Sequence, residues 1–204
     1  MFFYQVICSA INIITMKKVL IINGHPNTES FNYALSKAYK NGALTGGAEV
    51  RQIDIATLNF DVFNLKSFDT FKIPTDLQKA QEDIIWANHI VIVHPIWWGT
   101  LPAILKSFFE QTFLSGFATR YEGNGKTTKL LKGKTARIIT TLDTPVFIYK
   151  YIMGNSSLKT HKAILSYSGI KPLKVTYFGP ISKSTITERE KWLDEVEILG
   201  GLVK

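Results

Sequence analysis

Three separated runs of apolar, largely β-branched residues constrain the fold of this 204-residue chain more than any other feature. They lie at 19–23, 90–94 and 136–140, and each leads into a loop containing proline, glycine or hydroxyl-bearing residues. Such runs, alternating with helical segments, predict a doubly wound α/β sheet. Ligands of these sheets bind beyond the carboxyl ends of the strands, where the strand order reverses, so three loops can converge on one crevice. This convergence favours an enzyme.

The segments between the runs predict helices and two further strands. Apolar residues recur at helical spacing from Phe31 to about Leu44, and the Gly46-Gly47 pair is expected to end that helix. The other predicted elements are strands at 50–55 and 174–178, a helix at 76–88, a helix from Pro102 toward Gly116, and a last helix capped by Thr187 with Glu190 completing a capping box.

These elements predict one α/β domain over residues 17–204. We expect a five-stranded parallel sheet in the order 2-1-3-4-5 with helices on both faces, which places the switch point between strands one and three. Those two strands carry the first two loops. A six-stranded dinucleotide-binding fold is the alternative, but the pattern G-x-G-x-x-G does not follow the first strand, where Gly24 stands alone.

Residues 1–16 are interpreted as an N-terminal extension from an upstream start. The stretch is mostly apolar but has no cationic beginning and no clear cleavage site, and it is too short to span a bilayer. Met16 directly precedes Lys17-Lys18 and the first strand. A short membrane anchor or export signal is the competing interpretation. No other apolar run approaches the roughly 20 residues of a spanning helix, so stable membrane insertion is not expected.

Charge and cysteine content bear on partners and location. The single cysteine, Cys8, excludes an intramolecular disulfide and a thiolate metal cluster, so we expect a cytoplasmic protein without a metal. The net charge is +8, and basic residues are densest at 126–137. We interpret them as a solvated face that can steer a phosphate-bearing nicotinamide cofactor or an anionic substrate. No nucleic-acid-binding motif is visible, and no nucleic-acid partner is expected.

The first loop has the composition of an anion site. A helix that starts near Phe31 leaves its first amides unpaired, and the helix dipole favours negative charge there. Ser30, Thr28 and His25 add possible donors, so a phosphate or pyrophosphate fits this loop. The alternative is that Ser30 is only a helix N-cap and His25-Pro26 only a turn.

The second and third loops suit a planar ring. Trp97 and Trp98 follow a buried strand, and Gly99 permits close approach of the backbone to a ligand. The alternative is packing in the core or in a subunit interface, which we expect for one of the two tryptophans. In the third loop, Thr140 and Thr141 supply hydroxyl groups at a strand end.

Two motifs carry a family resemblance. Gly-His-Pro followed by Ser-Phe-Asn at 24–32, and the sequence HPIWWGTLPAILKSFFE at 94–110, resemble the flavodoxin-like NAD(P)H:quinone oxidoreductases of the DT-diaphorase type. The likeness extends from about Lys17 to Tyr121 and is looser beyond. It implies a flavodoxin-like three-layer sandwich that holds FAD or FMN, with FAD slightly favoured. It also implies ping-pong hydride transfer from NADPH or NADH to a quinone or similar small acceptor.

The resemblance also implies three groups of cofactor-binding residues. The flavin phosphates would be held by His25, Thr28, Ser30, Phe31 and Asn32. The isoalloxazine would be lined by Pro95, Ile96, Trp97, Trp98 and Gly99, with the amides of Trp98 and Gly99 near N5 and O4. Its pyrimidine side would lie along Thr140, Thr141, Leu142 and Asp143.

The chain departs from the family at the proton donors. The larger enzymes carry a Thr-Thr-Gly-Gly turn followed by a tyrosine and a histidine that assist hydride transfer, whereas Ile148 and Gly154 occupy those two positions here. Tyr149 and Tyr151 are close enough to substitute and are the candidate catalytic residues. His161 is a weaker candidate, expected to be exposed on a helix.

Two other functions and an assembly are also considered. A flavodoxin-type one-electron carrier would share the fold, although such carriers are typically acidic and this chain is basic. A regulatory flavoprotein subunit of an ion-efflux transporter would share all three loops. A homodimer with active sites at the subunit contact is predicted, because four phenylalanines near the second loop are expected to form an exposed apolar patch: Phe108, Phe109, Phe113 and Phe117.

Overall fold

A parallel sheet forms the centre of the computed structural model, which describes residues 16–63 and 71–203. Its strands are β1 (Lys18–Asn23), β2 (Glu49–Asp54), β3 (His89–Pro95), β6 (Thr135–Thr141) and β7 (Leu173–Phe178). A separate antiparallel hairpin consists of β4 (Thr119–Gly123) and β5 (Lys126–Lys129). The helices are α1 (Phe31–Thr45), α2 (Thr75–Trp86), α3 (Ala103–Thr112), α4 (Ser156–His161) and α5 (Ile186–Gly201). Two π-helical segments, Ile148–Ile152 and Lys162–Ser166, flank α4.

The strand order β2-β1-β3-β6-β7 confirms the predicted doubly wound order. The fourth and fifth strands of the prediction are β6 and β7. The switch point lies between β1 and β3, which pair in parallel from Val19 opposite His89 to Asn23 opposite Val93. The loops after β1 and β3 therefore leave the sheet side by side at its carboxyl edge.

Two hydrophobic layers cover the sheet because alternate residues of a strand point to opposite faces. Leu20 and Ile22 of β1 pack in the layer that contains α2 and α3. Val19 and Ile21 pack in the opposite layer with α1 and α5. Residues 19–22 have no solvent exposure, so each aliphatic side chain contributes roughly 1.5–3 kcal/mol of hydrophobic stabilisation. This burial fixes the positions of the loops at the strand ends.

The N-terminus of the last helix differs from the prediction. Thr185, not Thr187, is the N-cap of α5, and Glu188, not Glu190, completes the capping box. The Thr185 hydroxyl accepts a hydrogen bond from the Glu188 amide, and the Glu188 carboxylate accepts one from the Thr185 amide. Two overlapping Thr-x-x-Glu sequences satisfy the same pattern, and the chain uses the earlier one.

The prediction that four phenylalanines near the second loop form an exposed apolar patch is wrong. Phe108 and Phe109 are fully buried, and Phe113 and Phe117 pack against the same core. The rings of Phe109, Phe113 and Phe117 meet edge to face with centroid distances of 5.4 and 6.0 Å. Phe108 and Phe109 face inward because α3 packs against the sheet. Phe113 and Phe117, which follow α3, are only partly exposed, so the four side chains do not form an exposed apolar patch.

Within 16–63 and 71–203, no helix combines the length and the apolar character that crossing a bilayer requires. The interpretation of residues 1–16 as an extension falls, apart from Met16, outside the residues that the structure describes.

Candidate functional site

The loops after β1, β3 and β6 line one cleft at the carboxyl edge of the sheet, with a volume of about 200 Å³. It contains most of the residues that the resemblance assigns to a cofactor. The lining residues are His25, Ser30, Phe31, Asn32, Pro95, Ile96, Trp97, Thr141, Leu142, Asp143 and Ile181. Ile181 was not predicted. It follows Gly179-Pro180 at the end of β7, and applying the strand-end rule to that strand would have found it.

Four predicted residues lie outside the lining of this cleft. Thr28 is a half-exposed residue of the first loop, and Trp98 and Gly99 form the tip of the second. Thr140 is buried in β6, where its hydroxyl has no hydrogen-bond partner among the described residues. Thr140 therefore lies beneath the cleft floor.

The first loop is organised by successive side-chain hydrogen bonds to its own backbone. Asn23 Oδ1 accepts from the His25 amide at 3.3 Å, His25 Nδ1 from the Asn27 amide at 2.9 Å, and Asn27 Oδ1 from the Glu29 amide at 2.8 Å. Because Nδ1 is an acceptor, this network assigns the ring proton of neutral His25 to Nε2. Burial lowers the pKa of His25. The neutral His25 ring therefore presents its Nε2–H as a donor at the cleft wall.

The start of α1 forms the anion-binding wall of the cleft. Ser30 is the N-cap, as the alternative interpretation expected, and its Oγ accepts from the Tyr33 amide at 3.3 Å. That bond leaves the hydroxyl proton of Ser30 free to donate to a ligand. Phe31 and Asn32 begin the helix, where amides lack intrahelical partners, and the first turn carries no acidic residue. These donors fit a phosphate group.

The second loop ends in a tight turn at Trp97–Thr100. The amide of Trp97 donates to the Thr100 carbonyl at 2.9 Å, and the amide of Thr100 donates to the Trp97 carbonyl at 3.1 Å. Trp98 and Gly99 have φ angles of 48° and 83°, a left-handed pair that is unusual for tryptophan. Trp97 is 45% exposed and Trp98 fully exposed. Neither tryptophan packs in the core, and the interface alternative stays a prediction.

Hydrogen bonds join the loops across the cleft floor. The buried side chains of Asn32 and Thr141 exchange hydrogen bonds of 3.0 and 3.2 Å, which connect α1 to β6. The Ile96 amide donates to the Thr141 carbonyl at 2.7 Å. The Asp143 carboxylate accepts from the Ser182 amide at 2.6 Å and so connects the loops after β6 and β7. The buried Asn32–Thr141 pair holds the floor of the cleft in one shape.

The two candidate proton donors, Tyr149 and Tyr151, lie in different environments. Tyr149 is buried, and burial raises the pKa of its hydroxyl. That hydroxyl donates to the Gly99 carbonyl and accepts from the Ser157 amide, both at 2.9 Å. Tyr151 is exposed on the outer side of the same π-helical segment. Neither tyrosine lines the cleft.

The prediction that His161 is exposed is wrong. Its side chain is completely buried, with the ring stacked on His94 at a centroid distance of 5.0 Å. Its Nδ1 donates to the Ser157 carbonyl at 2.8 Å. Burial lowers the pKa to about 4 for His161 and to about 3 for His94. The face of α4 that carries His161 points inward, so this residue is a neutral core group at physiological pH.

A fold with three strand-end loops around one cleft at the switch point defines a flavodoxin-like protein. Residues 17–197 match the family described as flavodoxin-like fold. The chain is 31% identical over 169 residues to an uncharacterized NAD(P)H oxidoreductase of Haemophilus influenzae, covering 79% of this chain and 83% of that protein. The chain therefore belongs to the flavodoxin-like family.

Other relatives are more distant or match only in part. NAD(P)H dehydrogenase (quinone) 1 of Cavia porcellus is 29% identical over 127 residues; the match covers 52% of this chain and about half, 46%, of that relative. The crystal structure of Smu.1420 from Streptococcus mutans UA159 superposes with a TM-score of 0.79 at 32% identity, covering 91% of this chain and 99% of that one. An FMN-dependent NADH-azoreductase from Bacillus anthracis, in complex with FMN, has a TM-score of 0.69 at 22% identity, with 92% and 99% covered. That last likeness shows the fold alone.

Proposed function

We propose that this protein is a flavin-dependent oxidoreductase that transfers a hydride from NADPH or NADH, through a bound FAD or FMN, to a quinone or similar small acceptor. The observation that carries the proposal is the single cleft built from the loops after β1, β3 and β6. One wall is a helix N-terminus suited to phosphate, and the other is an aromatic turn suited to a planar ring.

Each group of cleft residues would have its own task. Ser30, the Nε2–H of His25 and the first amides of α1 would bind the flavin phosphate. Thr28 would lie at the edge of this phosphate site. The flavin supplies the hydride chemistry when bound, and the protein supplies its orientation and its electrostatic environment.

The remaining residues would hold the ring. The second loop, at 95–99, would lie along the isoalloxazine, with the amides of Trp98 and Gly99 toward its reactive edge. Thr141, Leu142 and Asp143 would lie along the pyrimidine side, with Thr140 beneath them, and the Asn32–Thr141 pair would fix the floor. Exclusion of water from this floor would strengthen every hydrogen bond to the ring.

We further propose that two copies of the chain associate beside the cleft, in a cytoplasmic homodimer. The supporting surface is not the phenylalanine cluster of α3 but the π-helical segment after the third loop. Its exposed side chains are Phe147, Ile148, Tyr151, Ile152 and Met153, and the exposed Trp98 extends from the turn that Tyr149 contacts. Exposed apolar surface of this extent is typical of an interface.

An anaerobic stopped-flow experiment tests the proposed reaction. Protein reconstituted with FMN or FAD is mixed with NADPH or NADH, and the yellow absorbance of oxidised flavin is expected to bleach and to return when a quinone is added. The same flavin without protein is the control. Bleaching no faster than in the control would reject the proposal, and a one-electron carrier would give that result.

A further inference from the structure

The turn at Trp97–Thr100 has few contacts to hold it in place. Its tip carries Trp98, whose side chain is fully exposed in the protomer and packs on none of the described residues. The edge of the Trp97 ring meets His25 at a centroid distance of 5.3 Å. Its two internal hydrogen bonds close the turn but do not fix its orientation relative to the sheet.

The Tyr149 hydroxyl supplies a fixed point for this turn from a distant part of the sequence. It donates to the Gly99 carbonyl at 2.9 Å and accepts from the Ser157 amide at 2.9 Å. The ring is buried, with only 1% of its surface exposed. Its main chain is held on both sides, because the Tyr149 amide donates to Pro145 and the Tyr149 carbonyl accepts from Asn155. The hydroxyl is therefore fixed in position, and its proton is used in the hydrogen bond to the Gly99 carbonyl.

The same segment contacts the other end of the second loop. Ser157 Oγ lies 3.4 Å from His94 Nε2, and His94 Nδ1 donates to the Pro95 carbonyl at 2.8 Å. Within residues 149–157, Tyr149 thus contacts Gly99, and Ser157 contacts His94. Both ends of the loop at 94–99 are connected to one buried hydrogen-bond network.

We propose that Tyr149 is a positioning residue for the hydride-transfer site. Its hydroxyl fixes the Gly99 carbonyl and so sets the orientation of the turn that carries the amides of Trp98 and Gly99. The inference rests on the proposed function, in which those amides face the reactive edge of the flavin. Tyr149 acts through Gly99 and not as a proton donor, since its single proton is already donated to that carbonyl.

Loss of this hydrogen bond is expected to affect rate more than binding. Most proposed flavin contacts, including the phosphate site at α1 and the third loop, do not depend on the turn. The reacting atoms do depend on it, because small displacements from a reactive geometry reduce the rate steeply. An unchanged KM for NAD(P)H together with slower flavin reduction is therefore the result expected for a positioning residue.

The test compares Tyr149→Phe with Tyr177→Phe. Tyr177 is a matched control because its hydroxyl also donates a partly buried hydrogen bond, to Asn155 Oδ1 at 2.8 Å. Its ring lies 6.2 Å from that of Tyr149, but its hydroxyl makes no hydrogen bond to the turn. In the flavin-free protein, the amides of Trp97 and Thr100 are expected to exchange with deuterium about fivefold faster in Tyr149→Phe and at the wild-type rate in Tyr177→Phe.

The second readout uses the flavin-loaded protein. At saturating NAD(P)H, flavin reduction is expected to be about tenfold slower in Tyr149→Phe, with the KM for NAD(P)H and the flavin Kd within about twofold of wild type. Wild-type exchange together with a wild-type reduction rate would overturn the proposal. If the wild-type protein binds no flavin, the proposed function fails, and the exchange experiment alone decides whether Tyr149 holds the turn.

A second variant covers the case in which Tyr149→Phe does not fold. Incorporation of 3-fluorotyrosine at position 149 retains both hydrogen bonds and makes the hydroxyl a stronger donor to Gly99. The Trp97 and Thr100 amides are then expected to exchange more slowly than in wild type. Equal or faster exchange would overturn the role assigned to the hydroxyl.

Discussion

At the residue scale, Ser30 has two functions that can be separated. Its Oγ caps α1 by accepting from the Tyr33 amide, and its hydroxyl proton is available to a ligand phosphate. The cap contributes to folding with or without a ligand. The donated proton contributes only when an anion is bound.

Ser30→Ala is therefore expected to weaken flavin binding by more than it weakens folding. Loss of a charge-assisted hydrogen bond costs about 1.5–3 kcal/mol of binding free energy, whereas loss of the cap costs about 1 kcal/mol of the free energy of unfolding. Flavin titration by fluorescence quenching and urea unfolding of the apo-protein measure the two effects.

Thr185→Ala is the matched control for this prediction. Thr185 caps α5 by accepting from the third helical amide, as Ser30 does in α1, but within a capping box with Glu188, and it does not line the cleft. Thr185→Ala should lose at least as much free energy of unfolding as Ser30→Ala and keep the wild-type flavin affinity. If Ser30→Ala behaves in the same way, the first loop is only a helix cap.

At the element scale, α1 and α5 pack with their backbones in direct contact. A Cβ added to Gly42 would lie 1.8 Å from the Glu197 carbonyl oxygen, and one added to Gly200 would lie 2.3 Å from the Tyr39 carbonyl oxygen. Two glycines on facing helices thus permit the close approach. The contact also fixes the helix whose N-terminus forms the phosphate wall.

Gly42→Ala is expected to destabilise the protein even though alanine is the better helix former. The propensity gain is about 1 kcal/mol, but the clash is with backbone atoms that must move, and such overpacking costs about 1–3 kcal/mol or more. Urea unfolding measures the difference from wild type. Asn41→Ala, at an exposed position of the same helix, should not destabilise, and a Gly42→Ala protein as stable as that control would contradict the packing described.

Elements with a strong periodic pattern were predictable from the sequence. The central strands and the start of α1 at Phe31 follow from buried β-branched runs and from helical spacing, which depend on local sequence. The strand order follows from the topology that alternating strands and helices favour. The hairpin β4–β5 was missed because its strands are short and largely exposed. The Asn124-Gly125 pair, with φ angles of 50° and 75°, is the turn signal that could have revealed it.

The directions of the side chains in the site were less predictable than the location of the site. The sequence placed the cleft residues in the correct loops because strand ends converge in this fold. It could not show that His161 faces the core or that the Tyr149 hydroxyl meets Gly99, since both depend on how residues 145–166 fold back over the second loop. Contacts between residues about 50 positions apart produce no periodic pattern in the sequence.

At the scale of the whole molecule, three buried histidines couple stability to pH. Burial is the main reason that the pKa falls to about 4 for His89, about 3 for His94 and about 4 for His161. In the unfolded chain each would titrate near its ordinary value of 6.5. Between pH 6.5 and about 4 the unfolded chain therefore binds more protons, and stability falls as the pH is lowered.

The free energy of unfolding is expected to drop between pH 7 and pH 5. Each histidine contributes about 2 kcal/mol over this interval, so the three together contribute at most about 6 kcal/mol. Urea unfolding at the two pH values measures the drop. His89→Asn should reduce the drop by about one third, and a free energy of unfolding that is equal or higher at pH 5 would contradict the burial of these rings.

The proposed dimer predicts an effect of one exposed isoleucine. Ile152→Glu places a charge in the apolar surface beside the cleft, where burying it in an interface would be costly. Analytical ultracentrifugation at micromolar concentration is expected to show a dimer for wild type and a monomer for the variant. Ile186→Glu, at an exposed position that begins α5, should remain a dimer. A monomeric wild type would reject the assembly.

We propose that one cleft, built from the loops after β1, β3 and β6, binds a flavin. The most direct test is the absorbance spectrum and mass of any ligand released from purified protein, followed by titration of the apo-protein with FMN and with FAD. We expect a released flavin, or binding of at least one of the two with a Kd below about 100 μM, equivalent to about −5.5 kcal/mol. No flavin released and no binding of either cofactor below that concentration would contradict it.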